Sequence, residues 1–206
     1  MINHKYKFIF IHIPKTGGTS IEQVFYSKSN KTDVPCKHYT LKMLERGNLV
    51  PKDYFKFSFV RNPWDMTVSQ YHFMWKSSYP WPIHWRKEHK GFAKLSFEEW
   101  VLHPSFQFST IRSIDIIGNR HHDGTFLGWI MGNKLNIDFI GKFENLQQDF
   151  DIICDKIGIP PKKLPHENKT KHKDYREYYD EETKQIVGEK YAKDIEYFGY
   201  KFGDGR

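Results

Sequence analysis

The run Phe8-Ile9-Phe10-Ile11-His12-Ile13 stops at Pro14, and Lys15-Thr16-Gly17-Gly18-Thr19-Ser20 follows at once. A β-branched and aromatic stretch that is apolar at successive positions suits a strand buried on both faces of a parallel sheet. We read that strand over residues 7–13 (KFIFIHI), with helical spacing resuming in SIEQVFYSK. The same alternation returns twice. FKFSFV reads as a strand, and Pro63 pre-sets the first turn of a helix through WDMTVSQYHFMW. NIDFIGKF reads as a third strand leading into ENLQQDFDIICDKIG, where Gly158 supplies the stop. Strand and helix in alternation predict an α/β sandwich with a central, mainly parallel sheet.

A chain of 206 residues fits one domain, 1–206, and 38% hydrophobic with 17% aromatic residues is too much apolar side chain for a disordered one. Residues 78–95 break the rhythm with Trp81, Pro82, His84, Trp85, Arg86, Lys87, His89 and Lys90, and read as an inserted surface lobe. Ser96 with Glu99 matches a capping box that restarts helix at FEEWVLH. Residues 159–175 (IPPKKLPHENKTKHKDY) read as an irregular basic loop, and a last helix is expected from Asp180 through EETKQIVGEKYAKDIEYF.

The net charge of +7 calls for an anionic partner: nucleic acid, a phosphorylated cofactor, an acidic polysaccharide or a membrane surface. Cys36 and Cys154 stand far apart with no CxxC pair, so a reducing compartment is the simpler reading. The N-terminal apolar run is shorter than a signal-peptide core, and no other stretch approaches a membrane span, so a soluble, cytoplasmic protein is expected, with no membrane partner.

The loop after the first strand has the parts of a phosphate cradle. Gly17 and Gly18 allow close backbone approach, Thr19 and Ser20 add hydroxyls, Lys15 adds charge, and the first turn of the following helix presents N–H groups. The lysine precedes the glycines, so this is not the triphosphate-binding pattern G-x-x-x-x-G-K-[ST]. A tight strand-to-helix turn with a surface lysine is the plain alternative. A second constellation, Arg61-Asn62-Pro63-Trp64-Asp65 followed by Ser69 and Tyr71, sets a guanidinium fork at a strand end and a hydroxyl two turns into a helix. Arg61 could equally pair with Asp65.

Taken together, PKTGGTS after one strand and RNPWD-x-x-x-S-x-Y after the next resemble the signatures of the sulfotransferase family. The likeness continues through KHYTLKML, IDFIGKFENLQQDF, LPHENKTKHKDYREYYD and DIEYFGYKF. The branch it resembles is that of the carbohydrate O-sulfotransferases, the heparan-sulfate 2-O and chondroitin enzymes and their bacterial relatives, in a short form without a membrane anchor. One departure is Met66, where the family usually has arginine.

That resemblance implies a P-loop-like three-layer fold and 3′-phosphoadenosine 5′-phosphosulfate (PAPS) as sulfate donor. It further implies that Lys15, Thr16, Gly17, Gly18, Thr19 and Ser20 hold the 5′-phosphosulfate, Arg61 and Ser69 the 3′-phosphate, and Thr170 and Lys171 the nucleotide. In-line transfer to an acceptor hydroxyl needs a base and a clamp for the leaving phosphate. Lys15 suits the clamp, and His38, at the position where relatives carry a KH pair, is the expected base. His12 reads as a core histidine bonded to backbone, His72 as a packing residue, and Glu22 and Asp65 as further carboxylates to test. Trp81, Trp85 and Arg86 are the expected acceptor surface, either packing on sugar rings or simply buried. The acceptor is expected to be a carbohydrate or another hydroxyl-bearing molecule. No metal is assigned to His121, His122 and Asp123, because adjacent loop histidines rarely share an ion.

Two rivals share part of this pattern. A basic nucleic-acid-binding module explains the charge but not two phosphate loops on consecutive strand–helix units, so no nucleic-acid partner is expected. A small-molecule kinase needs carboxylates for Mg²⁺, and none follows the second strand before Asp65.

Overall fold

A computed structural model describes residues 1–25, 38–74, 95–103, 106, 124–165 and 173–205. The lobe residues Trp81, Trp85 and Arg86, the basic-loop residues Thr170 and Lys171, and His121, His122 and Asp123 lie outside the described residues. The chain divides into two compact units, Met1–Arg61 with Ile111–Asn168 and Arg206, and Asn62–Thr110 with Lys169–Gly205.

The first unit holds the sheet. Strands β1 (Ile2–Asn3), β2 (Phe8–Ile11), β3 (Phe55–Val60) and β4 (Phe139–Lys142) lie in that order. The β1–β2 pair is antiparallel and the other two pairs are parallel, which makes the fold α/β with a mostly parallel sheet. Helices α1 (Gly18–Phe25), α2 (Leu41–Arg46), α5 (Phe126–Ile130) and α6 (Leu146–Lys156) belong to this unit. The register pairs Phe8 with Phe55 and Phe10 with Phe57, so alternation along both strands stacks phenylalanines on one sheet face. Phe10 and Phe57 are parallel at 4.9 Å. Ile21 and Phe25 of α1 and Phe150, Ile153 and Cys154 of α6 close over them. Each such ring contributes about 1.5–3 kcal/mol on burial, enough to fix β2 and α1 as a rigid frame around the loop that joins them.

The strands are shorter than the apolar pattern. β2 ends at Ile11 because the N–H of Ile13 donates to the Ile11 carbonyl, 3.2 Å, and leaves the ladder. β4 ends at Lys142, where a 3-10 turn, Phe143–Asn145, opens α6.

The second unit holds α3 (Pro63–Met74), α4 (Phe97–Leu102), a 3-10 turn (Tyr175–Tyr178), α7 (Glu181–Lys190) and α8 (Ala192–Phe198), and the rings of Tyr71, Phe97, Trp100 and Tyr178 pack α3, α4 and the 3-10 turn together. Asn62 caps α3, its side-chain oxygen accepting from the Trp64 N–H at 3.0 Å with Pro63 at the first helical position. Ser96 and Glu99 form the expected capping box of α4. The single last helix read from the sequence is instead two, α7 capped by Asp180 and then α8 after Tyr191, whose backbone leaves helical geometry while its ring is buried. No proline marks that break, and Gly188 lies inside α7, so the apolar spacing runs through it without a signal.

Candidate active site

The loop of residues 15–20 leaves the carboxyl end of β2 and enters α1, the place where open α/β sheets bind ligands. Its backbone is held in an uncommon shape. Lys15 has φ +70° and Gly17 φ +83°, both in the left-handed region, which costs a non-glycine residue about 1–2 kcal/mol. Three contacts offset this at Lys15, Thr16 and Ser20. Arg61 donates from Nη1 to the Lys15 carbonyl at 2.9 Å, the Thr16 hydroxyl donates to the Ile13 carbonyl at 2.8 Å, and the Ser20 N–H donates to the Gly17 carbonyl at 3.0 Å. The Arg61 guanidinium is buried and lies 4.0 Å over the Phe143 ring. At Gly17 the left-handed φ of +83° favours glycine, and a Cβ there would press on the tip of the Leu146 side chain, 2.8 Å from its Cδ2. Arg61, predicted as a phosphate ligand, therefore also shapes the loop.

Beside the loop two imidazoles meet. His12 immediately follows β2, is 3% exposed, stacks on Phe10 at 5.6 Å, and has its Nδ1 2.8 Å from Oε1 of Glu22. Its partner is thus a carboxylate of α1, which the sequence reading did not assign to it. The other edge of its ring lies against Gly18, where a Cβ would fall 2.3 Å from Nε2. His38 has φ +63° and sits with its ring 4.6 Å from that of His12. Its Nδ1 lies 3.3 Å from the His12 carbonyl, and its ring stands edge-on to Trp129. A carbonyl oxygen only accepts, so Nδ1 is the donor in this contact and Nε2 is the ring nitrogen it leaves over. Thr40, not His38, caps α2, its hydroxyl accepting from the Met43 N–H.

The remaining predicted residues are in the second unit. Ser69 and Asp65 are buried on α3, as is Met66. His72 has its Nε2 2.8 Å from the Tyr178 hydroxyl, and burial above all pushes the Tyr178 phenol up from its usual range. Among the described residues no group of three His, Cys, Asp or Glu side chains is arranged to hold a metal ion.

The contact of His12 with Gly18 makes a stability prediction. Gly18→Ala forces a methyl into a ring already fixed by Glu22 and Phe10. Overpacking of this kind costs about 1–3 kcal/mol, at roughly 2–4 °C of melting temperature per kcal/mol for a chain of this size. A fall of several degrees is expected by thermal circular dichroism, and a Gly18→Ala/His12→Ala double variant should regain part of it. An unchanged melting temperature for the single variant would mean that the His12 ring yields freely.

Residues 1–201 match the family model described as the sulfotransferase family. The chain belongs to the sulfotransferase family. Human carbohydrate sulfotransferase 9 is 27% identical to this sulfotransferase chain over 220 residues, covering 94% of the chain and 47% of that relative. An uncharacterized protein of Archaeoglobus fulgidus is 29% identical over 107 residues, 52% of this chain and 70% of the other. The sulfotransferase chain thus spans about half the length of its human relative. No described helix is long and apolar enough to cross a membrane.

Proposed function

We propose that this chain transfers a sulfuryl group from PAPS to a carbohydrate hydroxyl, with His38 as base and Lys15 as the positive group at the leaving phosphate. The observation that carries it is the meeting of the residue 15–20 loop with His38 at the end of β2, through His12. Family membership supports the donor, and the printed name of the human relative supports a carbohydrate acceptor.

The residues fit such a donor. Two left-handed residues open the loop, a glycine begins α1, and the first-turn N–H groups of an eight-residue helix suit an anion. PAPS supplies the sulfuryl group and a phosphate leaving group. The chain supplies the rest: Lys15 brings positive charge to the loop, and Thr16, Gly17, Gly18, Thr19 and Ser20 frame the anion. His38 Nε2 takes the acceptor's hydroxyl proton as its oxygen attacks sulfur. The resemblance to the family points to Arg61 and Ser69 for the 3′-phosphate and to Thr170 and Lys171 for the nucleotide, and the tryptophans and cations of residues 78–95 point to Trp81, Trp85 and Arg86 for the acceptor.

Calorimetry with 3′-phosphoadenosine 5′-phosphate (PAP) tests the donor. Binding without Mg²⁺ is expected, with weaker binding of the nucleotide lacking the 3′-phosphate. Magnesium-dependent ATP binding in place of PAP binding would favour a kinase. Transfer of label from PAPS to desulfated chondroitin or heparan oligosaccharides, and not to tyrosine peptides, tests the acceptor.

A further inference from the structure

We propose that Glu22 and His12 form a positioning pair that sets the ring of His38 for proton abstraction, an inference that rests on His38 being the base. His12 touches His38 twice, through its ring at 4.6 Å and through its carbonyl oxygen at 3.3 Å from His38 Nδ1. His12 therefore bears on the place of His38 through both its ring and its backbone, beside the edge-on ring of Trp129. The backbone of His38 adds little rigidity of its own, since φ +63° is a shape an L-residue holds only when its surroundings enforce it.

Three groups fix His12 in turn. Phe10 lies under its ring, nearly parallel at 14°, and Gly18 leaves room for its Nε2 edge with no space to spare. Glu22 is the directional member. At 2.8 Å from Nδ1, with side-chain exposures of 3% and 14%, its carboxylate selects the ring edge that carries Nδ1, a choice that stacking on Phe10 leaves open. The two residues stand ten apart, one just after β2 and the other on α1, so the hydrogen bond also spans the loop whose shape Lys15 and Gly17 define. A shift of Glu22 would reach the base through one ring, while the loop keeps its own contacts from Arg61, Thr16 and Ser20. Neither residue is assigned contact with donor or acceptor; their action is through His38.

The test uses Glu22→Ala and His12→Phe, with Glu22→Gln as the conservative variant whose amide oxygen still accepts from Nδ1–H. Turnover and KM are measured with PAPS and desulfated chondroitin or heparan oligosaccharides, PAP affinity by calorimetry, and histidine ring signals by NMR without nucleotide. Glu22→Ala and His12→Phe should each lower kcat by about 10–100-fold, the scale on which a small misplacement of a reacting group acts. PAP affinity and KM should hold, Glu22→Gln should recover most of the rate, and the His38 ring signals should move in Glu22→Ala. The double variant should be no slower than the slower single one. Unchanged kcat in Glu22→Ala, a loss of PAP affinity equal to the loss of kcat, or a Glu22→Gln variant as slow as Glu22→Ala would each overturn the proposal. Two failures remain distinguishable. If His38→Ala keeps its rate, the reading of His38 as base has failed; if His38→Ala is inactive while both pair variants turn over normally, only the pair has failed.

Discussion

His38→Ala is expected to lower sulfuryl transfer by about 10²–10⁴-fold, the usual contribution of a positioned general base. PAP affinity should change little, because the loop is shaped by contacts of Arg61, Thr16 and Ser20 and not by the His38 ring. The pH profile gives a second reading of the same role. Only the neutral imidazole can take the hydroxyl proton, so the wild-type rate falls as acid protonates the base, and that limb should vanish from the residual rate of the variant. His38→Asn is the control for folding. Asparagine accepts the left-handed conformation more readily than other L-residues, and its side-chain amide can still donate to the His12 carbonyl, yet it cannot act as a base at neutral pH. A folded but inactive Asn variant supports the base, whereas full activity in either variant would move the role to another group.

The parts of this site differ in how far the sequence discloses them. The loop was legible because its chemistry is contiguous: an apolar strand, a lysine, two glycines and hydroxyls within thirteen residues, at a place where the sheet must hand over to a helix. Pro63 and the Ser96–Glu99 pair were legible for the same reason, since helix starts are written within four residues. Gly158 also behaves as read, at φ +71° just past α6.

The His12–Glu22 bond was not legible. His12 follows an apolar strand and looks like one more buried position, and only the return of the chain through the loop brings α1 back over it. A signal was present, though weak: an ionisable ring at a strand end, beside a glycine pair, with a carboxylate one helical turn into the next element. Arg61 shows the same limit. Its spacing from Pro63 fits a ligand-binding fork, but its bond to the Lys15 carbonyl joins residues forty-six apart and follows from β2 and β3 being neighbours in a parallel pair. The break at Tyr191 is a further case, because the apolar periodicity on its two sides stays in phase while the backbone does not.

Lys15→Ala is expected to remove about 2.7–4 kcal/mol of transition-state stabilisation, a loss of about 10²–10³ in kcat, the scale seen when one donor to a developing oxyanion is deleted. The backbone explains why this should be a clean test. Arg61 holds the Lys15 carbonyl and not its ammonium, so the loop keeps its shape when the side chain is cut back, and stability should stay within about 0.5 kcal/mol. PAP affinity should fall less than the rate, because the charge that Lys15 meets is largest as the bond to sulfur breaks and smaller in the bound nucleotide. Lys15→Gly separates side chain from backbone. Glycine adopts φ +70° freely, so this variant should melt no lower than the Ala variant while losing the same rate. Lys15→Arg keeps the charge but spreads it over a planar fork, and partial activity is expected from it. If Lys15→Ala lost PAP affinity and rate in equal measure, the lysine would be a binding residue alone; if it kept its rate, the clamp would have to come from another cation of the chain.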